Sequence, residues 1–172
     1  EAAVQAAKAR KQAAQAAHGG HGHGGGCPGS RAKAIRSEAP AQSMSLRAGT
    51  VPAHLAQWPC QIKLVPVHAP YFDGANLLVA ADCTAFAYGN FHNDFIRNHI
   101  TLIGCPKLDA TNYAEKLAEI FRQNDIREIT VTRMTVPCCG GMGMAVQQAI
   151  AACGKDIPVK IVTIDTDGTI VS

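Results

Sequence analysis

Short runs of apolar residues alternate with polar and amphipathic stretches through the second half of the chain. A short, continuous apolar run is typical of a strand that is buried on both faces of a sheet. Residues 61–65 instead alternate between apolar and polar side chains and lie between two prolines, which also predicts a strand. The buried strands are predicted at residues 77–81, 100–103, 129–134 and 159–164, and a last short strand follows the turn at 165–168.

Between these strands, apolar side chains recur at helical spacing. A helix is predicted over residues 112–124, capped by Asp109 or Thr111, and a second over residues 142–152, ended by Gly154. Strands that alternate with helices predict an α/β fold, here a three-layer, Rossmann-like domain with a mostly parallel sheet. The apolar face of the first helix consists of Tyr113, Leu117, Ile120 and Phe121.

The N-terminal part of the chain has a different composition. Residues 1–17 include nine alanines and no glycine or proline, which predicts a connecting helix. Residues 18–50 open with a segment in which seven of twelve residues are glycine, so we expect a Gly/His-rich linker. The cysteine-bearing α/β domain is then predicted to cover residues 51–172.

Charge and hydropathy narrow the classes of function. The first 50 residues hold seven Lys/Arg side chains against two Glu, within a chain of net charge +3. This basic segment has no aromatic residue to stack on bases, so we do not expect nucleic acid as a partner. The chain shows neither an apolar run of membrane-spanning length nor the apolar core of a secretory signal, which predicts a soluble protein without a membrane partner.

The seven cysteines carry the clearest chemical signal. Their odd number and the presence of a vicinal pair argue against a disulfide framework. Three of the predicted parallel strands are each followed by a cysteine or by the pair. Because the carboxyl ends of parallel strands share one edge of the sheet, where ligands bind, we expect four thiols to meet in one crevice. They belong to Cys83, Cys105, Cys138 and Cys139.

The surroundings of these thiols favour a role as ligands. Cys138 and Cys139 directly precede a helix, and its N-terminal amides would favour the thiolate, the form that binds metal or attacks an electrophile. Four sheltered thiolates suit an iron–sulfur cluster or Zn. A free cysteine is otherwise a small buried hydrophobe, and this is our interpretation of Cys60 and Cys153.

The Gly-rich segment contains a second group of candidate ligands. Cys27 is flexible enough there to act as a lid or as a supplementary ligand of a cluster. His18, His21 and His23 offer a weaker second metal site, with a solvated linker as the alternative.

Polar residues near the predicted crevice suggest roles in proton transfer. His92, in the crossover after Cys83, is a candidate proton donor or hydrogen-bond partner of a cluster, with helix packing as the alternative. Tyr88 and Asp94 carry the same alternatives. Lys107 either offsets the charge of a cluster or is simply solvated.

Several short motifs occur in a specific order along residues 18–172: Cys27-Pro-Gly-Ser30, Ala81-Asp-Cys83, Gly104-Cys-Pro-Lys-Leu-Asp109 and Val136-Pro-Cys-Cys-Gly-Gly141. In this the chain resembles a family from anaerobic bacteria and archaea, the 4Fe-4S ferredoxin-domain proteins, in which a ferredoxin module precedes a His/Gly-rich linker and an α/β domain. The resemblance implies an iron–sulfur, redox-linked protein of the anaerobic cytoplasm with an upstream ferredoxin module. It also implies an apolar residue where Cys60 stands.

Three hypotheses follow for the function. The first is an iron–sulfur cluster-binding protein, with a [4Fe–4S] cluster or a variant on the four thiols, supplemented by Cys27, that exchanges electrons with a ferredoxin module or redox partner. The second is a cluster-dependent reductase of a small substrate, with His92 as proton donor. The third is a protein that handles Zn or another metal. The sequence leaves formation of a homo-oligomer open.

Overall fold

The computed structural model describes residues 30–35 and 51–172. The predicted helix at 1–17 and most of the predicted linker lie outside these residues. The strands are β1 (Lys33–Ala34), β2 (Gln57–Trp58), β3 (Ala75–Ala81), β4 (Ile100–Gly104), β5 (Ile126–Met134) and β6 (Val159–Ile164). The helices are α1 (Thr84–Ala87), α2 (Tyr113–Gln123) and α3 (Gly140–Cys153), with a π-helical turn at His92–Ile96 and 3-10 turns at Pro70–Phe72 and Pro137–Cys139.

Four of the strands form a parallel sheet in the order β4-β3-β5-β6. Each of these strands matches one of the predicted apolar runs and extends it by no more than three residues. The chain leaves β3 to form β4 on one side and then crosses back to form β5 on the other side. The predicted α/β class with a parallel sheet is therefore confirmed.

Helices cover both faces of the sheet. Leu77 and Val79 of β3 contact the layer formed by α2 and α3, whereas Leu78 and Ala80 contact the crossover that follows β3. These four side chains are essentially inaccessible to solvent, which explains why the strand reads as one continuous apolar run. The result is the three-layer arrangement that the sequence predicted.

The ends of the two long helices follow ordinary capping rules. The side chain of Asn112 accepts a hydrogen bond from the backbone N–H of Ala114 at 3.0 Å, so the cap of α2 is Asn112 and the predicted cap at Asp109 or Thr111 is wrong. Helix α3 ends at Gly154, which has a φ of 73° as predicted for its stop signal.

The region before β3 differs from the prediction. Residues 61–65 form turns, and only Gln61 bridges to Ile103 of β4, so the predicted strand at 61–65 is wrong. The strand in this region comes earlier, where β2 pairs antiparallel with β1 in a separate two-stranded sheet. Part of the predicted linker at 18–50 is thus a strand. A polar side chain explains the missed signal, because Gln57 is fully buried and its amide forms two hydrogen bonds with the backbone of Thr101.

The C-terminal turn packs on the first short helix. Gly168 has a φ of 89°, and a Cβ atom there would lie 2.5 Å from the carbonyl oxygen of Ala87. After this turn, Ile170 bridges to Ile164 in antiparallel fashion, so the predicted last strand is reduced to a single bridge. No helix in the described part of the chain has the length and apolar character that a membrane span requires.

Replacing Gly168 with alanine is expected to destabilise the fold by about 2 kcal/mol, because the new Cβ meets both an unfavourable backbone conformation and a fixed carbonyl oxygen. The urea-unfolding midpoint should fall accordingly. Gly89→Ala is the matched control, since nothing lies within 4 Å of a Cβ at that position. Equal midpoints for the two variants would contradict the described packing of the C-terminal turn.

Candidate functional site

The four predicted thiol ligands all follow carboxyl ends of neighbouring parallel strands. Cys83 comes two residues after β3, Cys105 directly follows β4, and Cys138 and Cys139 lie in the turn between β5 and α3. Because β4 and β5 lie on opposite sides of β3, this edge contains the topological switch point, where doubly wound folds bind their ligands. The predicted placement of the four thiols at one edge is what the structure shows.

Hydrogen bonds hold the loop of Cys83 against β5. The hydroxyl of Thr84 donates to the carbonyl of Ala81 at 2.7 Å and lies 3.1 Å from the hydroxyl of Thr132. Both threonines are buried. Cys83 itself is exposed, and its carbonyl accepts hydrogen bonds from the first turn of α1. The thiol thus lies at the surface on a firmly attached backbone.

The vicinal pair divides into a buried and an exposed thiol. Cys139 is only 4% exposed, whereas Cys138 faces solvent. Burial raises the pKa of the Cys139 thiol, the backbone of Met134 acts against this rise, and the neighbouring Cys138 and Cys83 thiols raise it further. The Cys138 thiol interacts with Cys139 through a side-chain hydrogen bond, whereas Cys83 acts on it through charge alone. The expected preference for thiolate is wrong for Cys139 in the protein alone, because burial outweighs the amides at the start of the helix.

The loop of Cys105 packs against the start of α3. A Cβ at Gly141 would lie 3.2 Å from the Cβ of Pro106, so the two chain segments touch. The loop is closed by a backbone hydrogen bond of 3.0 Å from Asp109 N–H to the Cys105 carbonyl. Cys105 is half-buried. Its loop therefore lies next to the helix that begins after Cys139.

Cys60 belongs to the same edge, which sequence reasoning missed. Its carbonyl accepts a hydrogen bond of 2.8 Å from Ile103 N–H, so it lies near the carboxyl end of β4. Its thiol is half-buried; burial raises the pKa of this thiol, and the nearby Asp82 carboxylate raises it further. Cys60, interpreted as a small buried hydrophobe, is thus partly buried and lies in none of the described strands. As with β2, no sequence pattern indicates this position, because residues 57–61 show no regular spacing of apolar side chains.

A group of polar side chains near Gly104 was also missed. The Tyr113 hydroxyl donates to the carboxylate of Asp109. Burial, followed by the Asp109 carboxylate, raises the pKa of Asp82, and its buried Oδ1 has no hydrogen-bond partner among the residues of the structure. Asp82 directly precedes Cys83, and Asp109 lies in the motif that begins with Gly104 and Cys105. The short distance in sequence between each carboxylate and a cysteine could have indicated this group.

Cys153 lies apart from the other described cysteines. Cys153 lies at the far end of α3, where its thiol donates to the Ile150 carbonyl at 3.2 Å and packs against the core, in agreement with a structural role. Cys27 and the candidate histidines lie outside the described residues, namely His18, His21 and His23.

The polar residues of the crossover form hydrogen bonds within it and with the preceding segment. The Nδ1 atom of His92 accepts a hydrogen bond of 3.1 Å from the backbone N–H of His54. The Tyr88 hydroxyl donates to Asp94 at 2.7 Å, and this hydrogen bond holds the pKa of Asp94 below its usual range. Lys107 is exposed on the Cys105 loop. The contacts of His92 thus fit the packing alternative better than proton donation to a thiol-bound group.

The opposite edge of the sheet carries an open groove of about 450 Å³ with different chemistry. Among its lining residues are Glu128, Lys160 and His99, and it contains no cysteine. At the thiol edge itself, the side chains are not arranged as a finished metal shell, since no three His, Cys, Asp or Glu in the part of the chain that the structure describes form one.

The architecture defines a doubly wound α/β protein in which the four predicted ligands follow strands at the switch-point edge of the sheet. By comparison with family models, the chain belongs to the Rossmann-like domain family, which matches residues 69–172. An uncharacterized protein of Archaeoglobus fulgidus is 33% identical over 100 residues, which cover 58% of this chain and 70% of that protein. No solved structure matches this chain. Cys60 precedes the family match, whereas the four predicted ligands lie within it.

Proposed function

We propose that the thiol edge binds an iron–sulfur cluster, of the [4Fe–4S] type or a variant, and that the protein transfers electrons. The observation that carries the proposal is the position of Cys83, Cys105, Cys138 and Cys139 after the carboxyl ends of three adjacent parallel strands, with the loop of Cys105 packed on the start of α3. Thiolate sulfur is the ligand that iron–sulfur clusters require. The resemblance in motifs points to the same class of cofactor.

The four cysteines fit such a cofactor, both as thiol ligands and in the exposure of their side chains. Cys83 and Cys138 are exposed, so their side chains can rotate toward a common centre, while Cys139 is held by its surroundings. Burial of Cys139 favours the neutral thiol in the bare protein, but bound iron supplies the positive charge that stabilises thiolates. Backbone amides at the start of α3 favour negative sulfur in addition. Cluster binding would thus release protons from the thiols.

We propose Cys27 as a supplementary ligand, because of the direction in which the chain enters β1. The segment from β2 to Gln61 runs parallel to β4, and β1 runs antiparallel to β2. The chain therefore approaches β1 from the thiol edge of the sheet, and Ser30 lies at that end. Cys27 is three residues earlier, so the covalent chain limits the distance between the two Cα atoms to roughly 11 Å.

Exposed apolar side chains in the segments that follow the cysteines support a protein partner. Phe86 is 92% exposed, Leu108 is 81% exposed and Met144 is 59% exposed, and these are the most exposed large apolar side chains of the described residues. They follow Cys83, Cys105 and the vicinal pair, respectively. Concentrated apolar exposure marks an interaction site. We therefore assign this surface to a ferredoxin module or a separate ferredoxin-like redox partner.

The test is the content of iron and acid-labile sulfide in the full chain, purified without oxygen and reconstituted with iron and sulfide. We expect about four of each per chain and a visible absorption band that dithionite bleaches. Zinc bound without sulfide would contradict the proposal and support the metal-handling alternative. Protein that binds neither iron nor sulfide after reconstitution would refute the proposal.

A further inference from the structure

The loops of Cys83 and Cys105 are joined at Gly104. The carbonyl of this glycine accepts a hydrogen bond of 3.1 Å from the backbone N–H of Asp82, which precedes Cys83 in the chain. On its other side, Gly104 leads directly into Cys105. The relative position of the two cysteines therefore depends on what holds Gly104 and the loop that follows it.

Tyr113 occupies the space above Gly104. A Cβ atom on Gly104 would lie 2.6 Å from the Tyr113 hydroxyl oxygen and 2.8 Å from the ring carbon that carries it. Real Cβ atoms do not come this close to other atoms, so the hydroxyl can sit here only because residue 104 is a glycine. The same hydroxyl lies beside the backbone of Cys105. Tyr113 is 2% exposed, so its ring is fixed in the core.

The hydroxyl of Tyr113 also closes the Cys105 loop through Asp109. It donates a hydrogen bond to the Asp109 carboxylate, and the Asp109 backbone N–H donates to the Cys105 carbonyl. One oxygen atom thus connects the start of α2, the end of β4 and the far end of the loop. A hydrogen bond to a charged acceptor stabilises more than one between neutral groups.

We propose that Tyr113 is a positioning residue, which holds Cys105 at the distance from Cys83 that binding of one common group requires. This inference rests on the proposed cluster site and deepens it. A tyrosine that merely filled the core would contribute through its ring, whereas the geometry assigns the positioning to the hydroxyl. The hydroxyl can be removed without the ring by the substitution Tyr113→Phe.

The first test measures the rate at which a chelator removes iron from the reconstituted full chain. We expect Tyr113→Phe to lose iron about tenfold faster than the unchanged protein, which corresponds to one charge-assisted hydrogen bond. In a Cys105→Ser background the same substitution should have no further effect, because Tyr113 acts through Cys105. Tyr71→Phe is the matched control, since the Tyr71 hydroxyl is buried without a hydrogen-bond partner among the described residues. An equal effect of Tyr113→Phe with and without Cys105 would overturn the proposal.

A second measurement separates this inference from the cluster itself. In protein without iron, the alkylation rate of each cysteine by iodoacetamide is followed by peptide mass spectrometry. Tyr113→Phe should change the rate at Cys105 several-fold and leave the rate at Cys153 unchanged. If the protein binds no cluster but this change is observed, the proposed function fails and the positioning role stands. Unchanged alkylation of Cys105 would refute the positioning role whether or not a cluster binds.

Discussion

Replacing Cys139 with serine is expected to reduce the iron retained by the reconstituted protein by about tenfold or more. Loss of a residue that merely orients a metal ligand already costs about 10–100-fold in affinity, and loss of a ligand costs at least as much. We expect the largest loss at Cys139, because this thiol is 4% exposed and interacts with the thiols of both Cys138 and Cys83. Iron per chain and visible absorption measure the effect.

Cys153→Ser is the matched control for this substitution. Cys153 is the last residue of the helix that begins after Cys139 and is half-buried, but its thiol donates to the Ile150 carbonyl at the end far from the other cysteines. Its replacement should leave the iron content unchanged. Urea unfolding of both variants without iron shows whether the fold persists. Normal iron content in a folded Cys139→Ser protein would remove Cys139 from the ligand set.

Replacing Gln57 with alanine is expected to destabilise the fold by about 3 kcal/mol. The Gln57 amide donates to the Thr101 carbonyl and accepts from the Thr101 N–H at 3.2 Å, and the side chain is completely buried. Alanine would leave two backbone groups of β4 without partners, each at a cost of about 1–3 kcal/mol. The free energy of unfolding in urea measures the loss.

The same substitution has a predicted consequence at the thiol edge. Gln57 attaches the segment that carries Cys60 to the open side of β4, so its loss should raise the alkylation rate of Cys60. Gln147→Ala is a suitable control, since Gln147 is an exposed glutamine on α3. Its effect should stay within about 0.5 kcal/mol. Equal destabilisation by both substitutions would contradict the structural role of Gln57.

The central sheet and its helices were predictable because the local pattern and the tertiary environment agree. Strand β3 is buried on both faces, so each of its positions selects an apolar side chain and leaves a continuous run in the sequence. Helix α2 presents one face to the core and therefore shows the apolar spacing of a helix. From this alternation the order of the loops along the chain follows, and with it the placement of Cys83, Cys105, Cys138 and Cys139 at one edge.

The segment from β2 to Gln61 was not predictable from the sequence, because backbone hydrogen bonds and the buried amide of Gln57 attach it to β4. The pattern at 61–65 predicts a strand, yet the pairing that the structure shows lies at β2 and ends at a single bridge from Gln61. Pairing of this kind depends on which edge of the sheet remains open, and no local pattern records that. For the same reason Cys60 was assigned to the core, although it lies at the thiol edge.

The sequence by itself determined the fold class and the edge of the sheet that the cysteine-bearing segments share, since apolar periodicity reports burial and parallel strands put their carboxyl ends at one edge. Only the tertiary structure decided the state of the individual groups. It showed that Cys139 is buried and Cys138 exposed, that Asp82 lies close to Cys60, and that Tyr113 occupies the space above Gly104. These properties depend on distances between residues remote in sequence, which arise only when the helices pack on the sheet.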